Sequence, residues 1–262
     1  MNYEIRDLER AAEMALLEDV QLASWGFSER EVVPGSMLVV HAHSGGIVAA
    51  AYPEGSGDPA GFVFGFPAVR DGALLHHSHM LAVRPEHRGR GLAVRLKEHQ
   101  RQRALAQGHR RMTWTMDPLL ARNARLNLGK IGAQVVAYMP DWYAVRTGIY
   151  AGLPADRLLI EWDLSAGPLE SEPERPDGEL ALEAVEGDPL GGPGGARLDL
   201  AGPRVLVEVP RDIEAVKQAS PAAALAWRMG QRRAFTHYLE CGYRGTGLAV
   251  GGGRAFYVLS RA

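Results

Sequence analysis

The 262-residue chain has one cysteine, Cys241. A single thiol excludes an internal disulfide framework and a cysteine-cluster zinc site. A reducing, cytoplasmic compartment is therefore expected, with Cys241 read as a small buried apolar residue. Long hydrophobic runs are also missing. The longest, Gly45 to Tyr52, is far too short to span a bilayer, so no membrane partner is expected. The opening Met1-Asn2-Tyr3-Glu4-Ile5-Arg6 lacks the basic-then-apolar order of a signal peptide. Neither sign of charge dominates: 29 Lys and Arg against 31 Asp and Glu leave a net charge of −2. That argues against a chain-wide nucleic-acid surface. No Ser-His-Asp motif, Walker loop or metal-spaced cluster occurs, and no metal is expected.

What is present is enough for a core. The chain is 46% hydrophobic and 23% charged, with mean hydropathy −0.15. Tyr3 to Asp7 reads as a strand, and Glu9 to Trp25 as a helix from the spacing of Ala12, Leu16, Leu17 and Val20, ended by Gly26. Pro34 opens a short helix through Val40. Ile47–Tyr52, Phe62–Val69 and Leu74–Val83 read as strands with short turns between them, which favours an antiparallel meander. Leu92 to Gln107 has no Gly or Pro and predicts a helix capped near Gly108. Arg111–Met116 is a strand, Asp117-Pro118 signals a helix start, and Asn123–Ile131 predicts a helix before Gly132. Strands follow at Val135–Val145 and Leu158–Leu164.

Residues 166–203 differ in composition. They hold six of the 16 prolines, eight of the 31 glycines, and nine Asp or Glu against two Arg. A linker or irregular excursion is expected there. Beyond it, Arg204–Val209 reads as a strand, Ile213–Gln218 and Ala222–Cys241 as helices, and Thr246–Val250 and Ala255–Leu259 as strands. The spacing from Ala234 to Gly242 parallels that from Ala124 to Gly132, which suggests a degenerate half-repeat; any helix capped by Gly before strands would give the same pattern.

The chemistry concentrates in Leu81-Ala82-Val83-Arg84-Pro85-Glu86-His87-Arg88-Gly89-Arg90-Gly91-Leu92-Ala93. An apolar strand enters a basic, glycine-bearing turn and leaves as a helix. The first N–H groups of a helix lack internal partners and, with the helix dipole, favour anions. Gly89 and Gly91 allow close backbone approach, and Arg88 and Arg90 add charge. This is the pattern of a diphosphate cradle. Nine Lys or Arg against two Glu between Arg84 and Arg111 read as an electrostatic funnel for the same anion. No aromatic residues interleave for base stacking, so no nucleic acid is expected.

Arg88-Gly89-Arg90-Gly91-Leu92-Ala93 resembles the Arg/Gln-x-x-Gly-x-Gly/Ala signature of the GNAT superfamily of acyl-CoA-dependent N-acyltransferases. Leu81-Ala82-Val83 with Pro85 also fits, and Asn123 through Lys130-Ile131-Gly132-Ala133 looks like the family's later signature. The resemblance covers roughly residues 3–165. It implies an α+β fold with a mixed, mostly antiparallel central sheet flanked by helices, to which residues 204–262 would add a smaller C-terminal α+β extension. It implies that the amides of Arg88, Gly89, Arg90, Gly91, Leu92 and Ala93 hold the diphosphate of acetyl-CoA or another acyl-CoA. Leu81 and Val83 would pair with the pantetheine arm and Asn123 would touch it. His77-Ser78-His79 is similar to the His-x-His strand of arylalkylamine N-acetyltransferases, which implies His77 and His79 as base or proton relay.

Beside that resemblance, the residues have their own logic. Strand alternation puts His77 and His79 on one face and His76 on the other. An imidazole is suited to taking the proton of an attacking amine near neutral pH, although hydrogen-bonded histidines in a half-buried strand give the same pattern. Trp114 and Asp117 end the strand across the expected cleft and are candidate acceptor-binding residues; Asp117 also reads as a helix cap. The family's usual general-acid Tyr position holds Leu128; either another group serves, or the thiolate leaves unaided, since a CoA thiol with a pKa near 8.5 is a tolerable leaving group.

The expectation is an N-acetyltransferase domain over 1–165, a linker over 166–203 and a dependent α+β half-domain over 204–262. The acceptor would be an amine of a small molecule or peptide, and a homodimer is compatible with the appendage. The alternative is a catalytically weak or inactive acyl-CoA-binding regulatory module.

Overall fold

A computed structural model describes residues 2–26, 28–144, 152–166, 178–185, 190–251 and 253–261. The chain forms two compact units. The first comprises residues up to Trp114 together with 163–166; the second comprises the described residues of 115–162 and 178–261.

In the first unit the order is β1 (Tyr3–Asp7), α1 (Ala11–Trp25), α2 (Gly35–His43), β2 (Ile47–Pro53), β3 (Gly61–Arg70), β4 (Ala73–Val83), α3 (Leu92–Ala106) and β5 (Arg111–Met116), whose last two residues pass into the second unit. The strands lie in sequence order. β1 to β4 form the expected antiparallel meander, and β5 joins β4 in parallel.

Alternation along β2 sorts the core. Val48, Ala50 and Tyr52 point into a cluster with Met14, Leu17 and Val20 of α1, Leu38 of α2, and Phe62 and Phe64 of β3. Ala49 and Ala51 face the other way, with Val63 and with Leu92 and Leu96 of α3. Helices thus cover both faces. Each fully buried Phe contributes roughly 2–3 kcal/mol by removing its ring from water.

The alternation breaks once. Phe64 pairs with Met80 and Gly65 with Ser78, so His79 is an extra residue in β4, a β-bulge. Before it, His76 and Ser78 face α3, where they meet Gln100. After it the parity reverses: Met80 and Ala82 join the α1–α2 side, and Leu81 and Val83 the α3 side.

In the second unit the order continues with α4 (Ala121–Ala124), a π-helical turn (Arg125–Lys130), β6 (Gln134–Tyr143), β7 (Ala155–Asp163), β8 (Glu179–Leu182), β9 (Arg204–Val209), α5 (Ile213–Ala219), α6 (Pro221–Glu240), β10 (Tyr243–Gly251) and β11 (Arg254–Arg261). The strand order is β7-β6-β10-β11-β9-β8. The hairpins β6–β7 and β10–β11 each follow a helical segment closed by a left-handed glycine, Gly132 at φ 77° and Gly242 at φ 86°. They meet at Gly245 and Val135. Both segments thus share one local order: helical segment, left-handed glycine, antiparallel hairpin.

Three observations add to the sequence reading. The acidic stretch contains β8, which pairs in parallel with β9, and a bridge between Ala184 and Pro193. Its Leu180, Ala181 and Leu182 supply the apolar contacts that composition averages hid. Residues 167–177 and 186–189 of that stretch, like Val145 at the expected end of β6, lie outside the described residues. Cys241 is exposed, not buried, because it caps the end of α6 directly before Gly242. Finally, residues 204–261 share a compact unit with 115–144 and 152–162. The ion pair between Asp117 and Arg228 and the hydrogen bond from Tyr257 to the Pro118 carbonyl, at 2.7 Å, bind these segments together.

Candidate functional site

The basic turn is built as its glycines require. Pro85–His87 makes a single 3₁₀ turn, Gly89 has φ 76° and Gly91 φ 73°, and α3 starts at Leu92. A Cβ on either glycine would meet nothing within 4 Å, so their outer side is open. Arg88 anchors the turn from within: its guanidinium donates to the carbonyls of Val83 and Ser24, both at 3.0 Å. Arg95, one turn into α3, donates to the Tyr3 carbonyl at 2.9 Å. The opening amides of α3 have no partner inside the helix. The turn therefore presents backbone donors, positive φ glycines and cationic side chains together at a helix N-terminus, and a diphosphate fits that donor set.

Ahead of the turn, β4 and β5 form a fork. Among the described residues they pair at two rungs, His76 with Met112 and His77 with Thr113. β4 runs on to Val83 without further pairing to β5, while its other edge stays paired with β3 through Leu81–Val63 and Val83–Gly61.

The two candidate base residues stand beside this fork. The His77 ring is 6.4 Å from that of His79, and both approach Phe66, at 5.5 and 6.1 Å. His41 of α2 stacks on Phe66 at 5.0 Å. His77 is half-buried and its Nδ1 lies 3.2 Å from Thr113 Oγ1. Burial, the neighbouring His79 and Lys97 hold its pKa down to about 4, so its imidazole is neutral at pH 7. His79 sits exposed at the bulge. His76 faces the other way, fully buried; its Nε2 lies 3.2 Å from the Gln100 amide, and burial and Lys97 push its pKa down to about 3.

The remaining predicted residues separate. Trp114 is buried, and its ring lies 3.9 Å beneath the Lys97 amine, on the α3 side. Asp117 is buried in the second unit. Its oxygens receive Arg228 Nη2 at 2.8 and 2.9 Å, and Oδ1 also receives the Leu119 amide at 2.8 Å. That ion pair and cap occupy the carboxylate, so recognition of an acceptor amine by Asp117 has no support in this geometry. Asn123 lies half-buried in α4. Leu128 is fully buried in the π-helical turn, beside Asn127, whose side-chain amide lies 3.2 Å from Met116 Sδ. Sequence reasoning passed over Thr113, Lys97 and His41. Only strand pairing reveals the first; the lysine's signal was its place on the sheet-facing side of α3, one turn before Gln100 and Arg101.

Residues 5–126 match the model of the acetyltransferase (GNAT) family. Among solved structures, a protein described as a GNAT-family acetyltransferase from Desulfovibrio desulfuricans is 17% identical, with 62% of this chain and 99% of that one covered at a TM-score of 0.50. A phosphinothricin acetyltransferase from Sinorhizobium meliloti, in complex with acetyl-CoA, gives 20% identity, 66% and 96% coverage, and 0.49. The ribosomal-protein-S18-alanine N-acetyltransferase from Escherichia coli gives 15%, 67%, 99% and 0.48. No curated protein sequence matches. The mostly antiparallel, helix-flanked sheet is the GNAT fold. Among the described residues no group of His, Cys, Asp and Glu is arranged to hold a metal, and no helix is long and apolar enough to cross a membrane.

Proposed function

We propose that this chain is an acyl-CoA-dependent N-acyltransferase that moves an acetyl group from acetyl-CoA to an amine of a small molecule or peptide. The observation that carries the reading is the turn 88–93: two open, left-handed glycines between a forked strand and a 15-residue helix, inside a segment that matches GNAT acetyltransferases. In this reading the amides from Arg88 to Ala93 hold the diphosphate, with the side chains of Arg88 and Arg90 adding charge. The edge of β4 left unpaired with β5, through Leu81 and Val83, lines the pantetheine arm.

The acceptor nitrogen attacks the thioester carbonyl, the carbon–sulfur bond breaks, and the ammonium proton must leave. His77, neutral and oriented by Thr113, and His79, at the exposed bulge, receive it as base and relay. Backbone donors at the fork stabilise the oxyanion. Leu128 supplies no proton to the departing thiolate, which leaves as the anion and is protonated by solvent.

That same Leu128, apolar and fully buried, favours a second reading: an acyl-CoA-binding regulatory module with little turnover. Two measurements separate them. Thermal shift with CoA reports binding, and thiol release from acetyl-CoA with a panel of amines, peptides and aminoglycosides reports transfer. Binding without transfer to any acceptor selects the module; no binding at all overturns the phosphate-turn reading.

A further inference from the structure

Lys97, the one lysine of the first unit, is buried at 2% exposure, and among the described residues no carboxylate pairs with it. Its surroundings are specific. Nζ donates to Ser78 Oγ at 2.6 Å and Gln100 Oε1 at 3.4 Å, lies 3.8 Å from Met112 Sδ, and sits 3.9 Å over the Trp114 ring. Ser78 donates in turn to Gln100 at 2.8 Å. Ser78 stands one residue beyond the last paired residue of β4, and Met112 and Trp114 flank Thr113 on β5. The amine therefore grips both strands at the base of the fork. On the opposite face of the same rung, His77 meets Thr113.

We infer that Lys97 is a positioning residue for acyl transfer: from the α3 face its amine clasps Ser78 of β4 to Met112 and Trp114 of β5, and thereby fixes the His77–Thr113 rung on the other face. The inference rests on the acyltransferase reading for its consequence, and on geometry alone for the clasp. Burying an amine is costly, and a methionine of similar length would fill the space without that cost. What the amine adds is directional: hydrogen bonds to one strand and a cation–π contact to the other. The titratable groups that feel its charge are His76 and His77 on β4, with His109 beyond His76 at 5.8 Å; β5 presents Met112, Thr113 and Trp114, and α3 itself presents Gln100. Burial holds the Lys97 pKa down to about 7, so the clasp is charged below neutral pH and loses its charge above.

The test is Lys97→Met in the full chain. Tryptophan emission followed from pH 5.5 to 9 should show a transition near pH 7 in the parent protein that is absent in the variant. The kcat for thiol release from acetyl-CoA should fall about tenfold, since small misplacements of a reacting group cost that much or more. The KM for acetyl-CoA should stay within twofold and Tm should hold or rise. Superimposable emission curves, or an unchanged kcat, overturn the clasp. A fall in kcat matched by a fall in Tm overturns it too, because that is loss of packing alone. If the parent protein releases no thiol with any amine, the acyltransferase reading fails, and the emission curves by themselves decide the clasp.

Discussion

At the scale of single residues, the fork concentrates unusual protonation. His77 keeps a neutral imidazole at pH 7 because burial disfavours its cation and His79 and Lys97 add to the effect. Its lone pair is then available throughout the neutral range, and Thr113 fixes its direction. His79, at the bulge, faces solvent. His77→Ala and His79→Ala should each lower the rate of thiol release at pH 7, by about 10²-fold for whichever histidine takes the proton directly. Unchanged rates in both variants would return these side chains to packing. The pair was legible in the sequence from simple alternation. The surroundings were not: Thr113 lies 36 residues away, and His41 reaches Phe66 from a separate helix.

At the scale of elements, the glycines of the phosphate turn carry a backbone requirement. At φ 73° a residue with a Cβ costs about 1–2 kcal/mol, although nothing lies within 4 Å to clash with it. Gly91→Val should therefore lower Tm by a few degrees and, by filling the open side of the turn, abolish the thermal shift produced by acetyl-CoA. A shift of parental size would place the cofactor elsewhere. The strand–turn–helix order could be read directly, because glycine, proline and apolar periodicity are local signals. The bulge at His79 could not. It reverses which residues of β4 face α3, and only the register against β3 reveals it.

Arg228 and Asp117 are 1% and 5% exposed and pair at 2.8 Å. Removing one partner strands a buried charge, so Asp117→Ala should cost about 3–5 kcal/mol in urea unfolding, whereas replacing both by apolar residues should recover much of that loss. Equal losses in the single and double variants would refute the pairing argument.

At the scale of the whole molecule, the buried cations-in-waiting of the first unit set the pH dependence of stability. His76 and His77 have folded pKa values of about 3 and 4, below the usual 6.5. Between those values and 6.5 the unfolded chain binds more protons than the folded one, so stability rises with pH across this window and is lost as pH falls through it. For His76 alone the loss is on the order of 4–5 kcal/mol by pH 3, at about 1.4 kcal/mol per unit. Lys97 acts in the same direction higher up, between about 7 and 10.5. Urea midpoints should therefore climb from pH 4 to pH 7, and His76→Asn should flatten that climb. An equal slope in the variant would assign the acid sensitivity to other groups.

By itself the sequence determined the local elements, the basic turn and the helix behind it, since each follows from periodicity, capping and the conformational needs of glycine. It also determined that a single thiol forms no internal disulfide. Tertiary structure alone decided the rest. It paired β4 with β5 at only two rungs, placed Lys97 between Ser78 and Trp114, and took Asp117 into an ion pair with a residue 111 positions away. The physical reason is common to all three. Strand register, burial of a charge and the partner that offsets it depend on residues far apart in the chain, and no local pattern encodes that distance.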